Sequence, residues 1–150
     1  MINSQEFFTH ALHDSEAVTD LLANDGGEPN IFEYPCEEEL GDNPGKPYIV
    51  VQNTGTTSES IDKDMDSFDP MNDQTTIEVT IVASNKSDAK AVAFEARNEL
   101  RSAMDQFGYQ EESSFGFRLE DSKYSDRGVQ FDVESGNYFV TMTYLIETSK

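Results

Sequence analysis

Apolar positions along the chain fall into distinct rhythms. Near the start, Phe7, Phe8, Ala11, Leu12, Val18, Leu21 and Leu22 recur at helical spacing, which predicts a helical segment with one buried stripe. Asn3 or Ser4 is placed to cap it, with Glu6 able to close a capping box on Asn3. The Asp14-Ser15 step is expected to interrupt the segment and recap a second short helix. From Asn24 to Pro47 the sequence is punctuated by Gly26, Gly27, Pro29, Pro35, Gly41, Pro44, Gly45 and Pro47, a density suited to irregular structure with a short strand around Ile31 to Tyr34.

Two strands come next. Tyr48 to Gln52 is an apolar-rich run after a proline, read as a buried strand. In Thr76 to Ser84, Ile77, Val79, Ile81 and Ala83 alternate with Glu78, Thr80, Val82 and Ser84, the signature of a strand with one face inward. The two are expected to be neighbours. Thr54 to Thr75 shows no periodicity and reads as a long acidic loop. Ser87 is the expected cap of the clearest helix, running to Phe107 with Gly108 as its stop. At about 100° per residue, Ala89, Val92, Ala93, Ala96, Leu100, Ala103, Met104 and Phe107 form one apolar arc.

Phe117, Leu119, Val129, Phe131 and Val133 predict one or two strands broken near Ser125-Asp126-Arg127-Gly128. A turn at Glu134 to Asn137 leads into a final strand from Tyr138 to Thr148, rich in Tyr, Phe, Val, Thr and Ile. The pattern as a whole predicts an α+β fold. Its sheet, mixed or antiparallel, has about four strands, one long covering helix and an N-terminal helical segment. The expected core comprises Ile49, Val51, Ile77, Val79, Ile81, Val92, Ala96, Leu100, Val140, Met142 and Tyr144.

At 150 residues, residues 1–150 are expected to make one domain with one core. Charge changes the functional picture. Thirty Asp and Glu stand against ten Lys and Arg, a formal net charge of -20, and no Lys or Arg precedes Lys46. Sequence-specific DNA or RNA binding needs a basic face that this composition does not supply. Self-repulsion at such charge destabilises a compact state unless it is screened, and at about 1 M salt the Debye length shrinks to about 3 Å. A salt-loving host is therefore expected. The lone Cys36, a start without a basic region leading into an apolar run, and no apolar stretch of membrane-spanning length point to use in the cytoplasm, or in a particle assembled there.

Candidate chemistry is sparse. Asp62, Asp64, Asp66 and Asp73 imitate a calcium loop, but Ser67 stands where the sharp turn wants Gly, and Asp73 replaces the bidentate Glu. A solvated acidic loop is the simpler reading, and no metal site is assigned. His10 and His13 lack a third ligand, Cys36 has no neighbouring His, and no phosphate cradle or nucleophile elbow occurs. No catalytic residue, cofactor or enzymatic activity is expected.

The long helix carries a better clue, because its flanks differ in sign. Lys90, Arg97 and Arg101 line one edge of the apolar arc with Phe94 among them, while Asp88, Glu95 and Glu99 line the other. A head-to-tail ring sets one edge against the opposite edge of the next subunit. Lys90, Phe94, Arg97, Arg101, Glu95 and Glu99 are accordingly the expected subunit interface. Asp62, Asp64, Asp66, Phe68, Asp69 and Met71 of the acidic loop are expected to contact a partner or line the ring.

Taken in order, "FTHALHDSEAVTDLL" (Phe8 to Leu22), Ile31, "KPYIVVQNTG" and "QTTIEVTIVASNKSDAKAVAFEARNELRSAMDQFG" give a layout that resembles the tail terminator proteins of long-tailed viruses, also called tail completion or tail-to-head joining proteins. The similarity spans approximately Phe8 to Thr148. It implies a small α+β subunit forming a ring, typically hexameric, that caps the tail tube, stops its growth and meets the head-side neck proteins. The implied partners are further copies of the chain, the tail tube protein and a head-side neck protein, and the implied location is the tail or neck of a virion. The chain's acidity extends that resemblance to a virus of a haloarchaeon, with a ring lumen unattractive to passing DNA. Two other readings stand beside it: another neck component such as a head-closure or connector protein, and a small cytoplasmic binding module of a halophile.

Overall fold

The computed structural model describes residues 2–22, 24–25, 28–33, 47–58, 73–108 and 118–149. Its elements in chain order are α1 (Ile2–His13), α2 (Glu16–Thr19), β1 (Asn24–Asp25), β2 (Glu28–Pro29), β3 (Ile31–Glu33), β4 (Tyr48–Ser58), β5 (Asp73–Ala83), α3 (Lys86–Ala103) with a π-helical turn at Met104–Gly108, β6 (Arg118–Asp126), β7 (Gln130–Asp132) and β8 (Asn137–Ser149). The fold is α+β. Six strands join in one mixed sheet of order β3-β4-β5-β8-β6, with β7 also on β8, exceeding the expected four. Pairing is parallel between β3 and β4 and antiparallel elsewhere in this sheet. β1 and β2 form a separate two-residue pair.

Alternation along the strands decides which face is covered. In β5, Ile77, Val79, Ile81 and Ala83 are buried, as are Val140, Met142, Tyr144 and Ile146 of β8 and Ile49 and Val51 of β4. α1 packs against β3, β4 and β5, and α3 against β5, β8 and α1. α3 contributes Ala89, Val92, Ala96 and Leu100, each with no exposed surface. Every expected core residue is buried. The opposite face carries Val50, Thr80, Val82, Phe139, Thr141 and Thr143, all half-buried.

Several boundaries differ from the sequence reading, each for a local reason. β4 and β5 run well into the span expected to be a loop, pairing Thr56 with Thr75, Thr57 with Gln74 and Ser58 with Asp73. Hydrophobic alternation fades there, yet the ladder continues on β-branched residues whose hydroxyls meet across the strands, Thr56 Oγ1 and Thr75 Oγ1 lying 3.1 Å apart. The register shifts between Asn53 and Gly55. At that bulge the Gly55 N–H donates to Asn53 Oδ1 (2.9 Å), and the Asn53 N–H donates to Gln5 Oε1 of α1 (2.7 Å), tying helix to hairpin.

Helix starts also moved. α1 begins at Ile2, so Asn3 and Ser4 lie inside it rather than at its cap. α3 is capped by Asn85, not Ser87. Asn85 is extended (φ -137°, ψ 159°), its Oδ1 accepts from the Asp88 N–H at 2.8 Å, and its Nδ2 donates to the Asp88 carboxylate at 2.8 Å. That reciprocal pair satisfies an orphan donor of the first turn, which Ser87, one residue inside the helix, cannot do. Ser15 does cap α2, as expected, its Oγ accepting from the Val18 N–H. Leu21, assigned to the apolar stripe, falls beyond α2 and is 38% exposed.

Candidate functional site

Beside α3, at the β6 edge of the sheet, lies a groove of about 240 Å³ lined by Lys90, Ala93, Phe94, Arg97, Tyr124, Asp126, Gly128, Val129 and Val140. Three of the expected interface residues, Lys90, Phe94 and Arg97, share its helical wall. Arg101 is exposed further along α3 and does not line it, while Glu95 and Glu99 sit half-buried. The Asp62, Asp64, Asp66, Phe68, Asp69 and Met71 set lies outside the described residues, as does Cys36.

Phe94 is 65% exposed because it falls outside the arc that α3 buries. Arg97, one turn on, is not a free flank charge. Its guanidinium carbon stands 4.1 Å from the centroid of the Tyr124 ring, a cation–π contact that fixes α3 against β6. Below it, Tyr124 packs edge-on against Tyr144 at 5.0 Å, and Tyr144 against Phe8 of α1 at 5.1 Å. The groove wall is thus continuous with the core.

Asp126 closes the arrangement. Its carboxylate accepts from the Tyr124 hydroxyl at 2.7 Å and from the Gly128 N–H at 2.7 Å. Gly128 has φ +73°, a left-handed conformation that glycine adopts at little cost. The Tyr124 hydrogen bond, then the Gly128 bond, hold the Asp126 carboxyl below its ordinary range, with Arg97 adding to the effect against some burial. Burial first, then the bond to Asp126 and its charge, raise the Tyr124 phenol above its usual value. Burial likewise raises Tyr144, whose hydroxyl has no hydrogen-bond partner among the described residues. The two hydrogen bonds to Asp126 lock the bend that follows β6 against the Tyr124 ring.

β7 and β8 enclose a tight turn. The Asp132 carboxylate accepts from the Glu134 N–H (3.1 Å) and the Ser135 hydroxyl (2.9 Å), and the Gly136 N–H donates to the Asp132 carbonyl (2.8 Å), with Gly136 at φ +72°. Val133, expected to belong to a strand, sits in this turn at 84% exposure. Phe131 is in β7 but 52% exposed, its ring 5.0 Å from Tyr138. The sequence reading puts both in a strand ahead of a turn at Glu134 to Asn137; Phe131 is indeed in β7, whereas the turn begins one residue earlier, at Val133.

His10 meets Asp14 at 3.1 Å, an exposed i,i+4 pair. Among the described residues no group of three His, Cys, Asp or Glu converges on a point. No described helix is long and apolar enough to cross a membrane.

No family model matches the chain, and no curated protein matches it. Its fold is shared with a solved structure. Over 97% of this chain and 94% of the other, it superposes on a chain of "Virion of native gene transfer agent (GTA) particle" with a TM-score of 0.51 at 12% sequence identity. At that identity the likeness is one of fold. It extends across the N-terminal helices, the sheet and α3 together, and so includes the elements that frame the groove.

Proposed function

We propose that this chain is a structural virion protein, forming a hexameric ring that caps the tail tube and joins it to the head-side neck without catalysis or a cofactor. The observation that carries the reading is the near end-to-end likeness of fold to a chain of a gene transfer agent virion. The order of elements agrees with the layout that the sequence resembles: N-terminal helices, a proline-led strand, a hairpin, an Ala-rich helix and closing strands.

A ring requires a contact between copies, and the sheet edges are poorly suited to it. β3 has three residues, and β6 carries a bulge between Leu119 and Asp121 with Lys123 beyond it, features that blunt edge-to-edge strand pairing. The groove beside α3 offers side-chain anchors instead, with Phe94 exposed at its rim. The net charge of -20 keeps the ring lumen unattractive to DNA and suits assembly in concentrated salt.

The test is loss of the protein from an infected or producing cell. Free heads together with tails of unregulated length support the proposal. Joined particles with tails of normal length contradict it, and leaking heads beside free tails of normal length move the chain to the head-closure position.

A further inference from the structure

Every Lys and Arg among the described residues lies on α3 (Lys86, Lys90, Arg97, Arg101), on β6 (Arg118, Lys123) or in the bend after it (Arg127). Elsewhere the described surface offers carboxylates without cations. Among the described residues, a neighbour's carboxylate in an assembly of identical acidic copies therefore finds a cation on this side of the molecule. The groove there combines Lys90 and Arg97 with an apolar surface of Phe94, Ala93, Val129 and Val140. Asp126, the acid in its lining, is engaged by Tyr124 and Gly128.

The matching shape is the β7–β8 turn. It presents Val133, 84% exposed, between Asp132 and the exposed Glu134, on a backbone that three hydrogen bonds hold. Pre-organised turns lose little entropy on docking. The turn cannot enter its own groove, because Val129 and Val140, which line the groove, belong to the same hairpin and its approach.

We propose that the groove between α3 and the β6–β7 bend receives the β7–β8 turn of a second copy, with Val133 against Phe94 and Val129 and Glu134 facing Lys90 and Arg97. This rests on the self-association in the reading above and names both halves of the contact. The turn ends a hairpin while the groove opens beside the helix, so the contact joins two different surfaces of the subunit, as a head-to-tail ring requires.

Val133→Asp and Phe94→Asp each alter one exposed side chain, and unchanged melting curves establish that both variants fold. Light scattering after size exclusion in concentrated salt is expected to show each variant weakened in self-association by about 30-fold or more. An equimolar mixture of the two is expected to form a heterodimer, since one sound groove and one sound turn remain. If Val133→Asp assembles like the wild type, or the mixture stays monomeric while the wild type assembles, the turn is not the occupant and the ring reading survives alone. A wild type that is monomeric at about 1 mM overturns the contact itself, whereas presence in the virion is decided separately by locating the protein in particles.

Discussion

Truncating Phe94 to Ala separates an anchor between copies from a solvated helix flank. A wholly enclosed phenylalanine buries roughly 150–250 Å². With Phe94 65% exposed, about 100–160 Å² of it remains for a neighbour to cover. At about 25 cal/mol/Å² that area sets an upper limit of about 2.5–4 kcal/mol. Ordering of side chains and imperfect desolvation reduce what association recovers, leaving about 1–2 kcal/mol per contact, or about 5- to 30-fold in dissociation constant. Sedimentation velocity over a concentration series in about 1 M salt reads this directly. The melting midpoint is expected to stay close to that of the wild type, because the ring contributes little to the core of its own subunit. Lys90→Ala is expected to weaken association less, and progressively less as salt rises, since exposed charges are screened while apolar contacts are not. Unchanged assembly of Phe94→Ala would refute the role given to this side of α3, and α3 would then be a core element alone.

Leu100→Ala, one of the fully buried positions of α3, is expected to cost about 2–5 kcal/mol in denaturant unfolding, with assembly lost only through unfolding. Tyr124→Phe keeps the ring beneath Arg97 but removes the hydrogen bond to Asp126. Since the folded state depresses the Asp126 carboxyl, that bond stabilises the fold above the unfolded-state value near pH 4 and is lost as pH falls through the folded value. Urea midpoints are therefore expected to separate wild type and Tyr124→Phe at pH 6 and to converge toward pH 2. A separation that grows on acidification contradicts the assignment. Melting midpoints of the wild type are expected to rise from low to multimolar salt as the charge of -20 is screened, and a flat profile removes the case for a salt-loving host.

The sheet and its covering helix were legible because burial writes a period into the sequence. Ile77, Val79 and Ile81 could face one way only, and Ala89, Val92, Ala96 and Leu100 fix the helix face as firmly. The hairpin ends of β4 and β5 were not legible, since Thr56 and Thr75 pair through backbone and hydroxyl without an apolar alternation to reveal them. The start of α3 turned on whether Asn85 or Ser87 would engage the first-turn amides, which depends on backbone direction rather than on residue type. At the groove, the sign difference along α3 exposed Lys90, Phe94 and Arg97. Tyr124 and Asp126 come from a strand whose polar sequence carries no periodic signal, and only the antiparallel register of β6 on β8 sets Tyr124 beside Tyr144 and under Arg97. The exposure of Val133 follows from a turn one residue after β7 ends, a boundary finer than apolar spacing resolves.

Antibody raised against this protein, carried on gold and applied to purified particles, tests the central claim most directly by electron microscopy. The account predicts label confined to the junction between tail tube and head, at a stoichiometry of one small ring per particle. Label spread over the capsid or along the tail, or particles that carry none of the protein, would contradict it.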